Sequence, residues 1–388
     1  MNIVFLNIYS MINTKGGVEK VFCDLASHFA EKNFVTAIFN DKKNGNILFD
    51  INENVKVVNL HDKSKSPIFK NTLINIKAFS FDKKTRDINR VTQKATLLKN
   101  KLERELGDRI NEVDVFIAFQ PEATLALKQL VGNTIPIVTM LHGTPEIYPL
   151  LKLFPDIIGK SIIQVLRPEY ASVVKKIITQ AEVVYIPNPV NKSNHHVNHE
   201  NKLIINVGRI SEQKQQIFLV KAFKVIHDEF PDWRLEIWGD VTTDKQYVLE
   251  LKRVIDKLSI GEYVKLCGTT DNICKQLNKA SIFAFPSKYE GFPLALAEAM
   301  AAGLCVIGRI DCPGVNSIIE NHKNGILAKN DVIDYADSLK KLIMNKELRH
   351  SLGNKAQADM EQYNPQEVYN KWDALINKLV NTEYNKIK

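Results

Sequence analysis

The strongest constraint on this chain is an alternation that runs through both of its halves. Short β-branched and aromatic runs occur as NIVFLNI from Asn2, FVTAIFN from Phe34, VKVVNL from Val55, VDVFIAF from Val113, IPIVTML from Ile135 and VVYIPN from Val183, with helical patterns between them. Strands spaced by helices pair in parallel, because each helix returns the chain to the starting edge of the sheet. The second half repeats the pattern with LIINVGRI from Leu203, WRLEIWGD from Trp233, VKLCG from Val264, SIFAFPS from Ser281, LCVIGRI from Leu304 and GILAK from Gly325. The prediction is α/β with two Rossmann-like domains. A length of 388 residues fits two hydrophobic cores better than one.

The border is predicted near residue 190, where VNKSNHHVNHENK (Val190 to Lys202) has almost no apolar content and reads as a linker. This divides the chain into 1–189, 190–364 and a tail, 365–388, whose amphipathic pattern with Pro365 at its start predicts a helix that must dock somewhere. His195, His196 and His199 lie in the linker. A flexible loop supplies no fixed ligand geometry, so no metal site is expected there.

Composition removes several classes. With 45% hydrophobic and 25% charged residues the chain is globular, and no run approaches the roughly 20 apolar residues that span a bilayer. MNIVFLNIYS lacks a basic region and a cleavage site and reads as a strand, so a cytoplasmic location is expected. The five cysteines include no Cys-x-x-Cys pair, which argues against a disulfide framework and a zinc site. The net charge of +8 gathers between Lys63 and Arg109, where basic residues mix with Ile, Leu and Phe. That mixture suits either a helix lying peripherally on anionic membrane or a solvated helical face. Nucleic acid is not an expected partner.

The most informative stretch is FPSKYEGFPLALAEAMAAGLCVI, from Phe285 to Ile307. Glu290 closes a loop after an apolar strand, Gly291 permits close backbone approach, and Pro293 suits a first helical position. Phe292 and Leu294 complete the turn, and Gly303 caps the helix. A helix start offers amide groups and a favourable dipole to a phosphate or a polarised sugar oxygen. Glu298, in the second turn of an otherwise apolar helix, is costly to bury unless something binds it, and a carboxylate there can hold the two hydroxyls of a ribose. In NVGRISEQK, a strand ends at Gly208, Arg209 follows, and Lys214 precedes the next helix, which places two cations at the carboxyl edge of a sheet. A planar fork and a point charge together match a diphosphate. Taken alone, basic residues at strand ends are common.

Together these stretches resemble the family 4 retaining glycosyltransferases of the GT-B fold, which carry Glu, seven residues and a second Glu in a segment like EGFPLALAE. The likeness continues through the Gly-Arg-Ile turn, Gly239, IPNPV at Ile186 and HKNGIL near Gly325. The resemblance implies two domains facing across a cleft, with the tail helix crossing back to the first. Glu290 would face the donor sugar, Glu298 would hold the ribose, and Arg209 with Lys214 would hold the diphosphate. Gly16 and Gly17, in TKGGVEKVF, resemble the family's glycine-rich turn, although an ordinary helix entry would read the same way. His142, in TMLHGTP, resembles the family's histidine near the reacting carbon, the alternative being a buried histidine satisfied by backbone. One departure stands out: CPGVNSIIE puts Asn316 and Ser317 where many relatives carry Glu.

The implied activity is transfer, with retention, of a hexose or N-acetylhexosamine from a nucleotide diphosphate sugar to a glycan or lipid-linked acceptor. On family grounds the donor is UDP-linked, and the setting is bacterial surface polysaccharide (O-antigen or capsule) at the inner membrane face. With no Asp-x-Asp triplet in the chain, no cofactor is expected and the reaction is read as metal-independent. A nucleotide-sugar epimerase on the same frame, or a non-catalytic partner subunit, stays open. A nicotinamide enzyme would need a Gly-x-Gly-x-x-Gly turn that MINTKGGVEKV lacks.

Overall fold

The computed structural model describes residues 1–61, 83–192, 197 and 199–384. These form two compact units, one of Met1–Pro187 with Tyr369–Lys388 and one of Asn188–Val368.

In the first unit the elements run β1 (Asn2–Asn7), α1 (Gly17–Ala30), β2 (Phe34–Phe39), β3 (Val55–Asn59), α2 (Lys83–Leu106), β4 (Val115–Ala118), α3 (Pro121–Val131), β5 (Ile137–Leu141), α4 (Pro149–Leu153), α5 (Pro155–Ile158), β6 (Ile162–Val165), α6 (Pro168–Ile177) and β7 (Glu182–Tyr185). Among the described residues the strands make one parallel sheet, in the order β3-β2-β1-β4-β5-β6-β7. Strands covered on both faces read as unbroken apolar runs, and every residue of β4 and β5 is buried. On one face Phe22 of α1 meets Phe5 and Phe119 edge-on, with ring centroids 5.9 and 4.9 Å away. Each such ring contributes on the order of 2 kcal/mol by leaving water.

The second unit runs β8 (Leu203–Val207), α7 (Gln216–His227), β9 (Arg234–Trp238), α8 (Lys245–Lys257), β10 (Val264–Gly268), α9 (Ile273–Leu277), β11 (Ile282–Phe285), α10 (Leu294–Ala301), β12 (Cys305–Arg309), β13 (Ile326–Ala328), α11 (Val332–Met344) and α12 (Lys346–Met360). Its sheet, also parallel, has the order β10-β9-β8-β11-β12-β13. All six strands expected in this half are present. In the first half β6 was not anticipated: IIQV is four residues long, carries Gln164 in its middle, and lies between proline-started helices. Gln164 is tolerated inside because its amide donates to the Ile186 carbonyl.

The last helix, α13 (Pro365–Tyr384), passes from the second unit into the first at Tyr369. There His28 of α1 stacks on Tyr369 at 4.2 Å, and its Nε2 lies 3.0 Å from the Asp373 carboxylate. The segment expected as a linker is held at both described ends. The Val190 amide donates to the Tyr363 carbonyl at 2.9 Å, and His199 is buried, its carbonyl accepting from Arg349 at 2.6 Å. His195 and His196 lie outside the described residues.

The basic segment from Lys63 falls partly outside them too. Its described part, α2, turns Ala95, Leu98, Leu102 and Leu106 into the core of the first unit against α3, so these apolar positions are already covered. Among the described residues, no helix is long and apolar enough to cross a membrane.

Candidate active site

In an open parallel sheet, ligands bind outside the carboxyl ends of the strands where the winding direction reverses. In the second unit that point lies between β8 and β11. The buried Asn206 amide ties these strands together by donating to the Ala284 carbonyl at 2.7 Å. Beyond them two loops meet, Gly208–Gln215 and Ser287–Pro293. They are stitched by the Lys288 amide to the Gln213 carbonyl and by the Gln213 side chain to the Tyr289 carbonyl, both at 2.9 Å.

Between these loops Lys214 Nζ donates to Glu290 Oε1 at 2.6 Å, and it also lies 4.9 Å from the centre of the Phe285 ring. The two side chains are only 13% and 8% exposed. Removing one member of such a pair typically costs about 3–5 kcal/mol, because the other is left charged and unpaired. Replacing both by apolar groups is often neutral, so burial of the pair is weakly explained by stability alone. It is well explained by a ligand that needs a cation and an acceptor side by side.

Glu290 is fixed from behind by a contact that the sequence does not announce. A Cβ at Gly314 would sit 2.3 Å from the Glu290 carbonyl oxygen and 2.6 Å from its Cβ, so only glycine lets the loop after β12 approach this closely. In that loop the buried Cys312 thiol is pushed up to about 11 by burial, with the nearby charges of Glu290 and Lys214 acting in opposite senses.

Helix α10 begins one residue later than expected. Pro293 has ψ 80°, outside the helical range, and takes the cap position, so Leu294 is the first helical residue. The Leu294 amide donates to the Phe292 carbonyl at 3.0 Å, so it is already engaged. The helix ends as expected: Gly303 has φ +83°, its amide donates to Met300, and the Leu304 amide reaches Ala299. Glu298 sits half-buried in the second turn. Phe292 is buried against Tyr363, with centroids 5.3 Å apart. Gly208 and Gly291 lie in the two loops, and Arg209, next to Gly208, has an exposed side chain while its carbonyl accepts from Gln216 at 3.0 Å. Lys214 and Glu290 are therefore in direct contact, with Arg209 in the first of the two loops and Glu298 in the helix that follows the second.

The first unit has its own reversal point, between β1 and β4. Gly16 takes the cap position of α1 and Gly17 is its first residue. The approach to them is shaped by Asp41, buried just after β2. Its carboxylate accepts from the Ser10 hydroxyl (2.8 Å) and from the amides of Met11 (2.9 Å), Ile12 (2.8 Å) and Lys43 (3.0 Å). Burial works to raise the Asp41 pKa, but these donors outweigh it and hold the group below the usual value. In nicotinamide-binding sheets, an acid at the end of the second strand takes the ribose. Here that acid is engaged by its own loop.

His142 follows β5, stacked near Phe119 at 5.1 Å, and its amide donates to Tyr148 Oη at 2.9 Å. Both ring nitrogens are buried without a hydrogen-bond partner of good geometry. Burial pushes the imidazole down to about 4, against a smaller opposing effect of the Phe119 backbone. It is therefore neutral at physiological pH.

Comparison with known proteins adds the following. Residues 188–359 match the family described as glycosyl transferases group 1. An uncharacterized glycosyltransferase of Haemophilus influenzae is 30% identical over 191 residues, covering 49% of this chain and 53% of that protein. The chain spans about half or less of the length of the curated relatives it first matches. In Campylobacter jejuni, the N-acetylgalactosamine-N,N'-diacetylbacillosaminyl-diphospho-undecaprenol 4-alpha-N-acetylgalactosaminyltransferase is 25% identical over 276 residues, 66% of this chain and 73% of that one. Among solved structures, Anabaena Alr3699/HepE in complex with UDP and glucose superposes with a TM-score of 0.73 at 16% identity, covering 97% of this chain and 100% of that one. The fold is thus the two-unit GT-B type seen in glycosyltransferases.

Proposed function

Because residues 188–359 match the glycosyl transferases group 1 family, we propose that the chain transfers a hexosyl or N-acetylhexosaminyl group, with retention, from a UDP-sugar to a glycan or lipid-linked acceptor. The observation that carries this reading is the buried Lys214–Glu290 contact at the reversal point of the second sheet. Support for the donor comes from the UDP and glucose held by the Anabaena protein, and for the acceptor from the diphospho-undecaprenol substrate in the name of the Campylobacter relative.

In this reading Lys214 turns its ammonium to the diphosphate, Arg209 supplies a second cation from the solvent side, Glu290 accepts hydroxyls of the donor sugar, and Glu298 holds the ribose. The bond from the anomeric carbon to the phosphate oxygen breaks, and the acceptor oxygen bonds to the same face of that carbon. The acceptor proton passes to the departing phosphate. Lys214 already sits where charge grows, so little reorganisation accompanies the step. His142, neutral and desolvated, offers a hydrogen bond to the sugar or the acceptor without adding a charge.

The reaction is proposed to need no metal ion, and its setting is surface polysaccharide assembly at the inner face of the membrane, with the chain cytoplasmic or peripherally bound. The test is a screen of UDP- and GDP-sugars with a lipid-linked acceptor extract, followed by anomeric analysis. An inverted product, isomerised donor without transfer, or complete loss of activity in excess chelator would each remove the corresponding part of the proposal.

A further inference from the structure

At the carboxyl edge of the first sheet, adjacent strand ends leave polar atoms that the protein itself does not satisfy. Glu122 is the second residue of α3, directly after β4, and its Oε2 is buried without a partner. His142, which follows the neighbouring β5, also has both ring nitrogens buried without a hydrogen bond of good geometry, the Phe119 backbone being, among the described residues, its one polar neighbour of consequence. Buried polar atoms in a finished fold nearly always have partners, so two such groups at one sheet edge need a reason.

The surrounding groups narrow that reason. Both polar atoms of the Gln120 side chain are engaged, accepting from the Ile8 amide at 3.0 Å and donating to Asn7 at 2.6 Å, and Asp41 is engaged by its loop. Tyr9, in the loop after β1, is 47% exposed and feels the charge of Glu122. Tyr148 feels it too, and its hydroxyl holds the His142 amide. Burial holds the Glu122 carboxyl above the usual range, with its own backbone amide and Lys94 acting the other way. A first-turn acid is favoured by the helix dipole, which accounts for a Glu here. It does not account for an oxygen withdrawn from water with no donor. The carboxyl, when ionised, repels a second anion, and the two phenols, protonated at neutral pH, add groups that both donate and accept, a set that suits a neutral ligand rich in hydroxyl groups.

We propose that Glu122 is a specificity-determining residue of the first unit, accepting hydrogen bonds from the hydroxyls of an uncharged carbohydrate acceptor, with Tyr9 beside it. The inference rests on the transferase reading above, and its test separates the two. Octyl β-D-glucopyranoside and octyl β-D-N-acetylglucosaminide are titrated by calorimetry into the full chain, its Glu122→Gln variant and its Tyr9→Phe variant, with UDP titrated in parallel and thermal unfolding recorded.

The expected result is that the wild type binds at least one glycoside and that Glu122→Gln weakens it about tenfold, as loss of a charged acceptor does. Tyr9→Phe weakens it about threefold, and UDP affinity is the same in all three proteins. Equal glycoside binding in Glu122→Gln, or no glycoside binding by the wild type, overturns the inference while leaving the donor reading intact. A parallel fall in UDP affinity, glycoside affinity and unfolding temperature would show a merely structural role and overturn it as well. Wild-type protein that fails to bind UDP instead sinks the transferase reading, whatever the glycosides do.

Discussion

The two sheets are built alike and finished differently. Each is parallel and reverses its winding once, between β1 and β4 in the first unit and between β8 and β11 in the second. At the second reversal point the chain places a buried ion pair, Lys214 with Glu290, and an exposed arginine. At the first it places side-chain amides, phenols, a carboxyl with a raised pKa and an imidazole held neutral, and it ties the buried Asp41 carboxylate to its own loop. On the proposals above, the same topology yields one edge that meets an anion and one suited to neutral hydroxyl groups. The difference lies in side chains beyond the strand ends, which is where parallel sheets leave chemistry free to vary.

From that contrast, substitutions in the second unit are expected to act on the donor and those in the first on the acceptor or on the shape of its loops. The largest effect is expected from Lys214→Ala. It removes the cation nearest the proposed leaving group, and the loss of one such stabilising group typically costs about 10²–10³ in turnover. The variant should still fold, with its stability lowered because Glu290 is left without its partner at 2.6 Å. Steady-state kinetics with unfolding curves checks both. Wild-type turnover in a folded variant would break the assignment of this edge to the diphosphate.

The second prediction belongs to the first unit and concerns His142. With the folded imidazole pushed down to about 4 from an ordinary 6.5, the unfolded chain binds a proton that the folded one refuses in that window. The stability associated with this group is complete above about pH 6.5 and is lost as pH falls toward 4, by about 3 kcal/mol in all. Urea unfolding at intervals from pH 7 to pH 4 should show this slope, and His142→Phe should flatten it. An unchanged slope in the variant would mean that the imidazole is not held neutral.

Glu298→Gln comes third. If the carboxylate holds a ribose by charge-assisted hydrogen bonds, UDP affinity should fall about 10- to 30-fold, or about 1.4–2 kcal/mol, with acceptor KM unchanged. A change in acceptor KM instead would blur the contrast between the two edges.

What could be read from the sequence follows the range of the interactions involved. The strands of the second unit were legible because each is an apolar run bounded by turn residues, and α10 was legible down to its Gly303 terminus, a local signal confirmed by φ +83°. β6 was not, since four residues with a central glutamine look like a loop until Ile186 is brought beside Gln164. The Lys214–Glu290 contact joins residues 76 positions apart, and only the resemblance of each segment to a family motif brought them together on paper. Gly314 behind Glu290, and Asp41 beneath Ser10–Ile12, had no such guide. Each works through backbone atoms that the intervening chain delivers, and a glycine or aspartate in a loop carries no mark of that.

Asp41 gives the smallest expected effect and the finest test of the contrast. Asp41→Asn keeps the shape but turns an amide donor toward groups that are donors already, so at least one of the Ser10, Met11, Ile12 and Lys43 bonds must be lost. The cost should be about 1–2 kcal/mol of stability, with UDP affinity in the second unit unaffected. The sign of the pH dependence is fixed by the direction of the shift. A carboxyl whose folded pKa is depressed contributes stability that is present above its unfolded value, near 3.8, and is lost as pH falls through the lower folded value. The variant should therefore be less stable than the wild type at pH 7, and the gap should close in acid below the ordinary aspartate range. A gap that persists at the lowest pH where the wild type still folds would mean that the contribution of Asp41 is not its charge, and the loop before Gly16 and Gly17 would need another explanation for its shape.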